Sequence, residues 1–225
     1  MNAAFMDWQT FWPPVLLSLR VALLSSVAAM VLGVAVARWM NRRKFRGRTL
    51  LETIFMLPLV LPPTVVGFIL LVILGRKSWI GRLAEWLFAA PIMFSWWAAV
   101  IASIVVAFPL VYQTMKTGFA SIDASLEEAA RSAGANERQV FVYITMPLAA
   151  RSFMTAYILG FARGFGEFGA TLMVAGNIPG KTQTTPTAIY LAAQTGNYAA
   201  AWAWTVSMVA VSFLLLLLAR QRNQT

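Results

Sequence analysis

Between two long apolar stretches, residues 125–147 read SLEEAARSAGANERQVFVYITMP, and this segment decides how the rest of the chain is understood. Ser125 followed by Glu128 has the spacing of a capping box, in which two side chains satisfy free backbone N–H groups at a helix start. The spacing predicts a helix over Leu126 to Ala133, with Gly134 placed to end it. On it Leu126, Ala129, Ala130 and Ala133 share one apolar, small-residue face, while Glu127 and Arg131 pair at i, i+4 on the other. At 1.5 Å per residue such a helix is about 12 Å long, too short to be stable alone in water. It must pack, either on the chain's own bundle or in a groove of another protein. Asn136 opens a second helix whose Val140, Phe141 and Ile144 can lie against apolar neighbours, and Pro147 stops it.

Outward from this segment the chain is apolar. Of 225 residues, 60% are hydrophobic and only 12% charged, against about 25% charged in an ordinary soluble domain. Mean hydropathy is +0.70. A spanning helix needs about 20 mostly apolar residues, and five such stretches are read: Pro14 to Trp39, Leu51 to Leu74, Phe94 to Met115, Ser152 to Ala175 and Ala199 to Ala219. The first follows no basic segment, its only preceding charge being Asp7, and is too long for a signal-peptide core, so it is read as retained. Trp8, Phe11 and Trp12 suit a headgroup level, and Trp79 to Phe88 (WIGRLAEWLF) reads as a short amphipathic helix on the same surface.

The net charge of +10 invites a nucleic-acid reading, but the basic residues follow the bilayer instead. Alternate connecting segments hold twelve Lys and Arg on one side and four on the other. The richer set comprises six between Arg38 and Arg48, four between Lys116 and Arg151, and Arg220 with Arg222. The positive-inside rule then predicts the C-terminus in the cytoplasm and the N-terminus outside. With no His and no Cys there is no ordinary zinc site, thiolate nucleophile, disulfide or imidazole base. No catalytic or metal-ligating set is expected. A membrane-embedded enzyme would have to rely on Glu167 and Arg163, and a passive anion channel would show flux without ATP.

Glu128-Ala129-Ala130, three residues, Gly134, nine residues and Ile144-x-Met146-Pro147 resemble the EAA loop of the membrane subunits of bacterial ABC importers. Met146 stands where that family usually has Leu, a swap of similar volume. The resemblance implies the all-helical type I permease fold, one transmembrane permease domain over 1–225, and a cytoplasmic coupling loop at about 116–151. It also implies that Leu126, Glu127, Glu128, Ala129, Ala130 and Gly134 form the element that docks on an ATPase subunit. Leu57-Pro58-Leu59-Val60-Leu61-Pro62-Pro63, Gly164 to Thr171 (GFGEFGAT), Asn177-Ile178-Pro179-Gly180 and Pro186 to Tyr190 resemble the molybdate permease branch, and sulfate permeases share part of this likeness. Implied with it are a homodimer in the bacterial inner membrane, two cytoplasmic ABC ATPases carrying the ATP and Mg, and an external oxyanion-binding protein. Molybdate is the implied cargo, tungstate with it, and sulfate or thiosulfate the alternative.

Within the apolar stretches, Pro58, Pro62 and Pro63 remove N–H donors and must kink or open the second span. Freed carbonyls at membrane depth have to be buried or line water, so these prolines are candidates for a pathway or gate, the alternative being a fixed kink for packing. Arg163 and Glu167 can pair at i, i+4 in the fourth span, either lining an aqueous path or snorkelling from its cytoplasmic end. Gly160, Gly164, Gly166 and Gly169 permit close helix approach, as an intersubunit seam would need. Gly166, Gly169 and Thr171 join Arg163 and Glu167 as pathway candidates. Gly180-Lys181-Thr182 only mimics the end of a phosphate-binding loop, since Gly176 leaves three spacer residues where four are needed. The predicted outer loop, Gly176 to Tyr198, is rich in Thr, Gln and Asn with Lys181 as its one cation, too few charges for a high-affinity anion site.

Overall fold

The computed structural model describes residues 8–43, 45–88 and 90–224, and these are helical with no strand among them. Asp7 and Lys44, both used in the charge pattern, lie outside the described residues. In chain order the elements are α1 (Trp8–Arg42), α2 (Arg48–Val60), α3 (Pro63–Leu74), α4 (Trp79–Phe88), α5 (Trp96–Ala120) and α6 (Ala124–Ser132). They continue with α7 (Glu137–Val140), a π-helical turn (Phe141–Thr145), α8 (Met146–Leu148), α9 (Ala150–Phe165), α10 (Gly169–Ala175), α11 (Thr185–Gln194) and α12 (Tyr198–Gln224).

Three of these helices are long and apolar enough to cross a membrane. Two bent pairs bring the number to five if each makes one crossing: α2 with α3, turning through 113°, and Glu137–Leu148 with α9, turning through 74°. The first bend falls where the prolines predicted it. Pro62 and Pro63 interrupt the ladder, Leu61 N–H still bonds Leu57 O at 2.9 Å, and α3 restarts with a proline in its first turn.

Helix α5 is the centre of the bundle, packed between α1 and α9. In lipid, helices associate through close contact of small residues rather than through an apolar driving force. Accordingly α1 turns Ala22, Ser25, Ser26, Ala29, Gly33, Ala37 and Met40 inward, all buried. Val111 of α5 sits between two glycine notches. A Cβ on Gly33 would lie 2.7 Å from its Cγ1, and one on Gly160 would lie 2.8 Å from its Cγ2. Gly164 likewise admits α1, its Cβ position being 2.8 Å from Ser25 Oγ. The glycines expected to form an intersubunit seam therefore serve contacts within one chain; among the four only Gly166 is exposed.

Two further expectations are corrected. The stretch Ser152 to Ala175 is not one helix, because α9 ends at Phe165 and α10 begins at Gly169. The polar segment 176–198 is not an open loop. It contains α11, and Thr182, Thr184, Thr185 and Thr187 are buried. Their hydroxyls are all used within the chain: Thr182 Oγ1 accepts from Ile178 N–H at 3.0 Å, Thr184 and Thr187 form a capping box, and Thr185 Oγ1 donates to Pro14 O at 3.2 Å. Trp204 of α12 ties down the same region by donating from Nε1 to Phe11 O at 3.1 Å. Helix α4 has the predicted bounds, with Trp79, Leu83 and Trp86 exposed along one side.

Candidate functional site

Helix α6 starts two residues earlier than its sequence suggests. Asp123, not Ser125, is the N-cap, its carboxylate accepting from Ser125 N–H at 3.0 Å. That hydrogen bond holds the Asp123 carboxyl below its ordinary range. The other end behaves as predicted. Gly134 has φ 89, Gly134 N–H bonds Arg131 O, and Ala135 N–H bonds Ala130 O, each at 3.0 Å. This is the Schellman arrangement, which closes a helix on a left-handed residue.

None of the residues of α6 is buried. Leu126, Glu128, Ala129 and Ala133 are exposed, while Glu127, Ala130 and Arg131 are partly covered on the side facing the bundle. The predicted small-residue face is thus mostly outward, with Ala130 at its inner edge. Glu127 and Arg131 pair at 2.8 Å, as their spacing requires.

Asn136 caps the next segment in a complete capping box with Gln139. Val140 behind it is buried and Phe141 packs into the cluster of Phe119, Met115 and Phe153. Pro147 does not end this segment. The chain passes through a π turn, whose extra residue rotates Thr145 inward, and breaks only at Ala149. What the sequence reading missed is the set of polar partners around α6: Arg38, Arg42, Glu137 and Thr145. The spacing of Arg38 and Arg42, one helical turn apart at the end of α1, was the available signal.

The second site lies at the two helix breaks. Glu167, 2% exposed, follows the end of α9; its Oε2 accepts from Arg163 Nη1 at 2.8 Å and its Oε1 from Ala170 N–H at 2.8 Å. The buried carboxylate thus ties Arg163 of α9 to the first turn of α10, and it does not snorkel. The break of α9 and α10 meets that of α2 and α3. The Cβ position of Gly169 is 3.0 Å from Pro63 Cβ and 3.3 Å from Thr64 N. Pro62, Pro63 and Gly166 are exposed there, Pro58 and Arg163 are partly covered, and Gly169 and Thr171 are buried. Thr171 therefore packs inside the chain and lines no surface of it.

No group of His, Cys, Asp and Glu suited to a metal ion occurs among the described residues. The family model of the binding-protein-dependent transport system inner membrane component matches residues 29–224. The chain belongs to this family. This permease is 57% identical over 213 residues to YvgM of Bacillus subtilis (strain 168), which carries the name of a molybdenum transport system permease protein; 95% of this chain and 94% of YvgM are covered. It is 41% identical over 209 residues to the molybdenum transport system permease protein ModB of Escherichia coli (strain K12), covering 92% and 91%. Identity to the sulfate transport system permease protein CysT of the same organism is 33% over 227 residues, covering 96% and 81%.

Three solved structures share the permease's fold. A bacterial ABC transporter that imports alginate matches with a TM-score of 0.76 at 15% identity, covering 99% of this chain and 85% of that one. An alginate transporter in complex with a pentasaccharide-bound periplasmic protein matches at 0.75 and 17%, covering 95% and 78%. The inward-facing MetNI methionine ABC transporter matches at 0.73 and 16%, covering 97% and 98%. The permease is a multi-pass membrane component of a transport system and not an enzyme.

Proposed function

We propose that this permease forms the membrane path of an ATP-driven molybdate importer in the bacterial inner membrane, with tungstate as a second cargo. Two copies line one path, one permease domain per chain over 1–225. Two ABC ATPases, which carry the ATP and Mg, bind at the coupling-loop end, about 116–151. A soluble oxyanion-binding protein delivers cargo at the other end. The observation that carries this reading is the outward face of α6: Leu126, Ala129 and Ala133 stand exposed on a helix with no buried residue, which suits a groove in a partner.

Other features support it. Pro62, Pro63 and Gly166 are exposed where two broken spans meet, as a path shared with a second copy would require. The cationic end of α1 lies beside α6, which fits a cytoplasmic placement of that end and of the C-terminus. The choice of cargo rests on the order of identities, higher to the molybdenum permeases than to CysT.

The test is accumulation of labelled molybdate at nanomolar concentration in cells lacking and then regaining this chain, with tungstate and sulfate as competitors. Uptake blocked by tungstate and not by excess sulfate is expected. Equal blocking by sulfate moves the cargo to the sulfate and thiosulfate class, and flux without ATP would make the chain a passive channel.

A further inference from the structure

Little apolar contact holds α6 to the bundle: none of its residues is buried, and of its apolar side chains only Ala130 is partly covered. Beneath it lies a polar cavity of about 390 Å³ lined by Arg38, Asn41, Arg42, Ile122, Glu127 and Thr145, among others. Side-chain hydrogen bonds and ion pairs bridge this space. Thr145 Oγ1 donates to Glu127 Oε1 at 2.6 Å, and Arg131 Nη2 reaches Glu127 Oε2 at 2.8 Å. Arg131 Nε donates to Glu137 Oε1 at 2.8 Å, and Arg42 Nη1 pairs with Glu137 Oε2. Arg38, 3.8 Å above the ring of Phe141, donates to Glu137 O at 3.3 Å.

The connectivity is that of a linkage. Each carboxylate uses one oxygen on one neighbour and the other oxygen on the next, so α1, α7, α6 and the π turn are joined in series. Glu127, Glu137, Arg131 and Arg42 are 22 to 55% exposed in their side chains. Exposed ion pairs contribute about 0.2 to 1 kcal/mol each, too little to explain the arrangement as a means of stabilising the fold. What such a network does well is hold direction. Because α1 packs along α5 and α9, a displacement of α6 that reaches Arg42 reaches the bundle.

We propose that Arg42, Glu137, Arg131, Glu127 and Thr145 form the transmission link of this permease, positioning α6 and carrying its displacement into the end of α1. These are positioning residues, and the inference rests on the docking role of α6 proposed above. The link acts separately from the docking face, because Leu126, Ala129 and Ala133 take no part in it.

The experiment uses the full permease, alone and assembled with its ATPase in proteoliposomes, in the wild type and in Glu137→Gln, Thr145→Val and Thr145→Ser. In the chain alone, amide hydrogen exchange over 124–132 should quicken about tenfold in Glu137→Gln and Thr145→Val and stay at the wild-type rate in Thr145→Ser, which keeps the hydroxyl. In the assembly, the ATPase should still co-purify while cargo taken up per ATP hydrolysed falls by about tenfold in the first two variants and not in the third. Unchanged exchange in Glu137→Gln and Thr145→Val would overturn the link, as would faster exchange with an unchanged uptake-to-ATP ratio. Loss of ATPase binding in step with uptake would make the network part of docking and overturn a separate transmission role. A wild-type chain that captures no ATPase would instead overturn the importer reading from which the inference starts.

Discussion

Glu167 is a single buried carboxylate with two duties, pairing with Arg163 and capping α10. Removing one partner of such a pair costs about 3 kcal/mol, so Glu167→Ala should lower the thermal midpoint of the purified permease clearly. Glu167→Gln, which keeps an oxygen for Ala170 N–H, should fall between it and wild type. An alanine variant as stable as wild type would show that the carboxylate does not hold the break. Gly134 is a residue of a different kind. A Cβ there meets nothing within 4 Å, yet φ 89 costs an L side chain about 1 to 2 kcal/mol. Gly134→Val should therefore fray the end of α6 and quicken exchange at Gly134 and Ala135 N–H without affecting insertion. Arg163, Glu167 and Gly134 were all legible as sequence positions. So was the pairing of Arg163 with Glu167; the second partner of Glu167 was not, since Ala170 N–H becomes a partner only once the helix has broken.

Helix α6 is an element whose hold on the bundle depends on charge. Hydrogen bonds from Arg131 and Arg42 keep the Glu137 carboxyl below its ordinary range. Burial pushes Glu127 up, but hydrogen bonds from Thr145 and Arg131 outweigh it and leave that group lowered too. Carboxyls with lowered values contribute fully above the ordinary glutamate range and are lost as pH falls through the lowered values. Protection of α6 amides, corrected for intrinsic exchange, should thus be flat from neutrality to about pH 5 and drop only below the ordinary value of about 4.3. A drop between pH 7 and 5 would contradict this. The break of α2 and α3 is an element held by covalent chemistry instead. Pro62→Ala with Pro63→Ala restores two N–H donors, so α2 and α3 should straighten and transport should fall several-fold while the protein still inserts; unaltered uptake would make the bend dispensable.

Assembly follows from which surfaces the bundle leaves uncovered. Ala129→Glu and Ala133→Glu place bulk and charge on the outward face of α6, so the ATPase should no longer co-purify although insertion and yield are unchanged. Ala130→Glu, by contrast, meets the bundle side and should also disturb the loop. If the ATPase remains bound in both outward variants, α6 is not the docking element. The exposed sides of α1 and α12 present Leu16, Leu23, Val27, Trp202, Val206 and Phe213, as a lipid-facing wall does.

Periodicity, proline placement in the second span and charge pairs within a single helix were readable along the chain because each acts over one or two helical turns. Five apolar stretches, the bend at Pro62, the turn at Gly134 and the pairs Glu127 with Arg131 and Arg163 with Glu167 are of this local kind. The tertiary structure decided what lies far apart in sequence: which helix each glycine admits, that threonines 182–187 are buried, that the two breaks meet at Pro63 and Gly169, and that Glu137 reaches Arg42. Such contacts depend on how rigid helices pack against one another, and no interval along the chain encodes that distance.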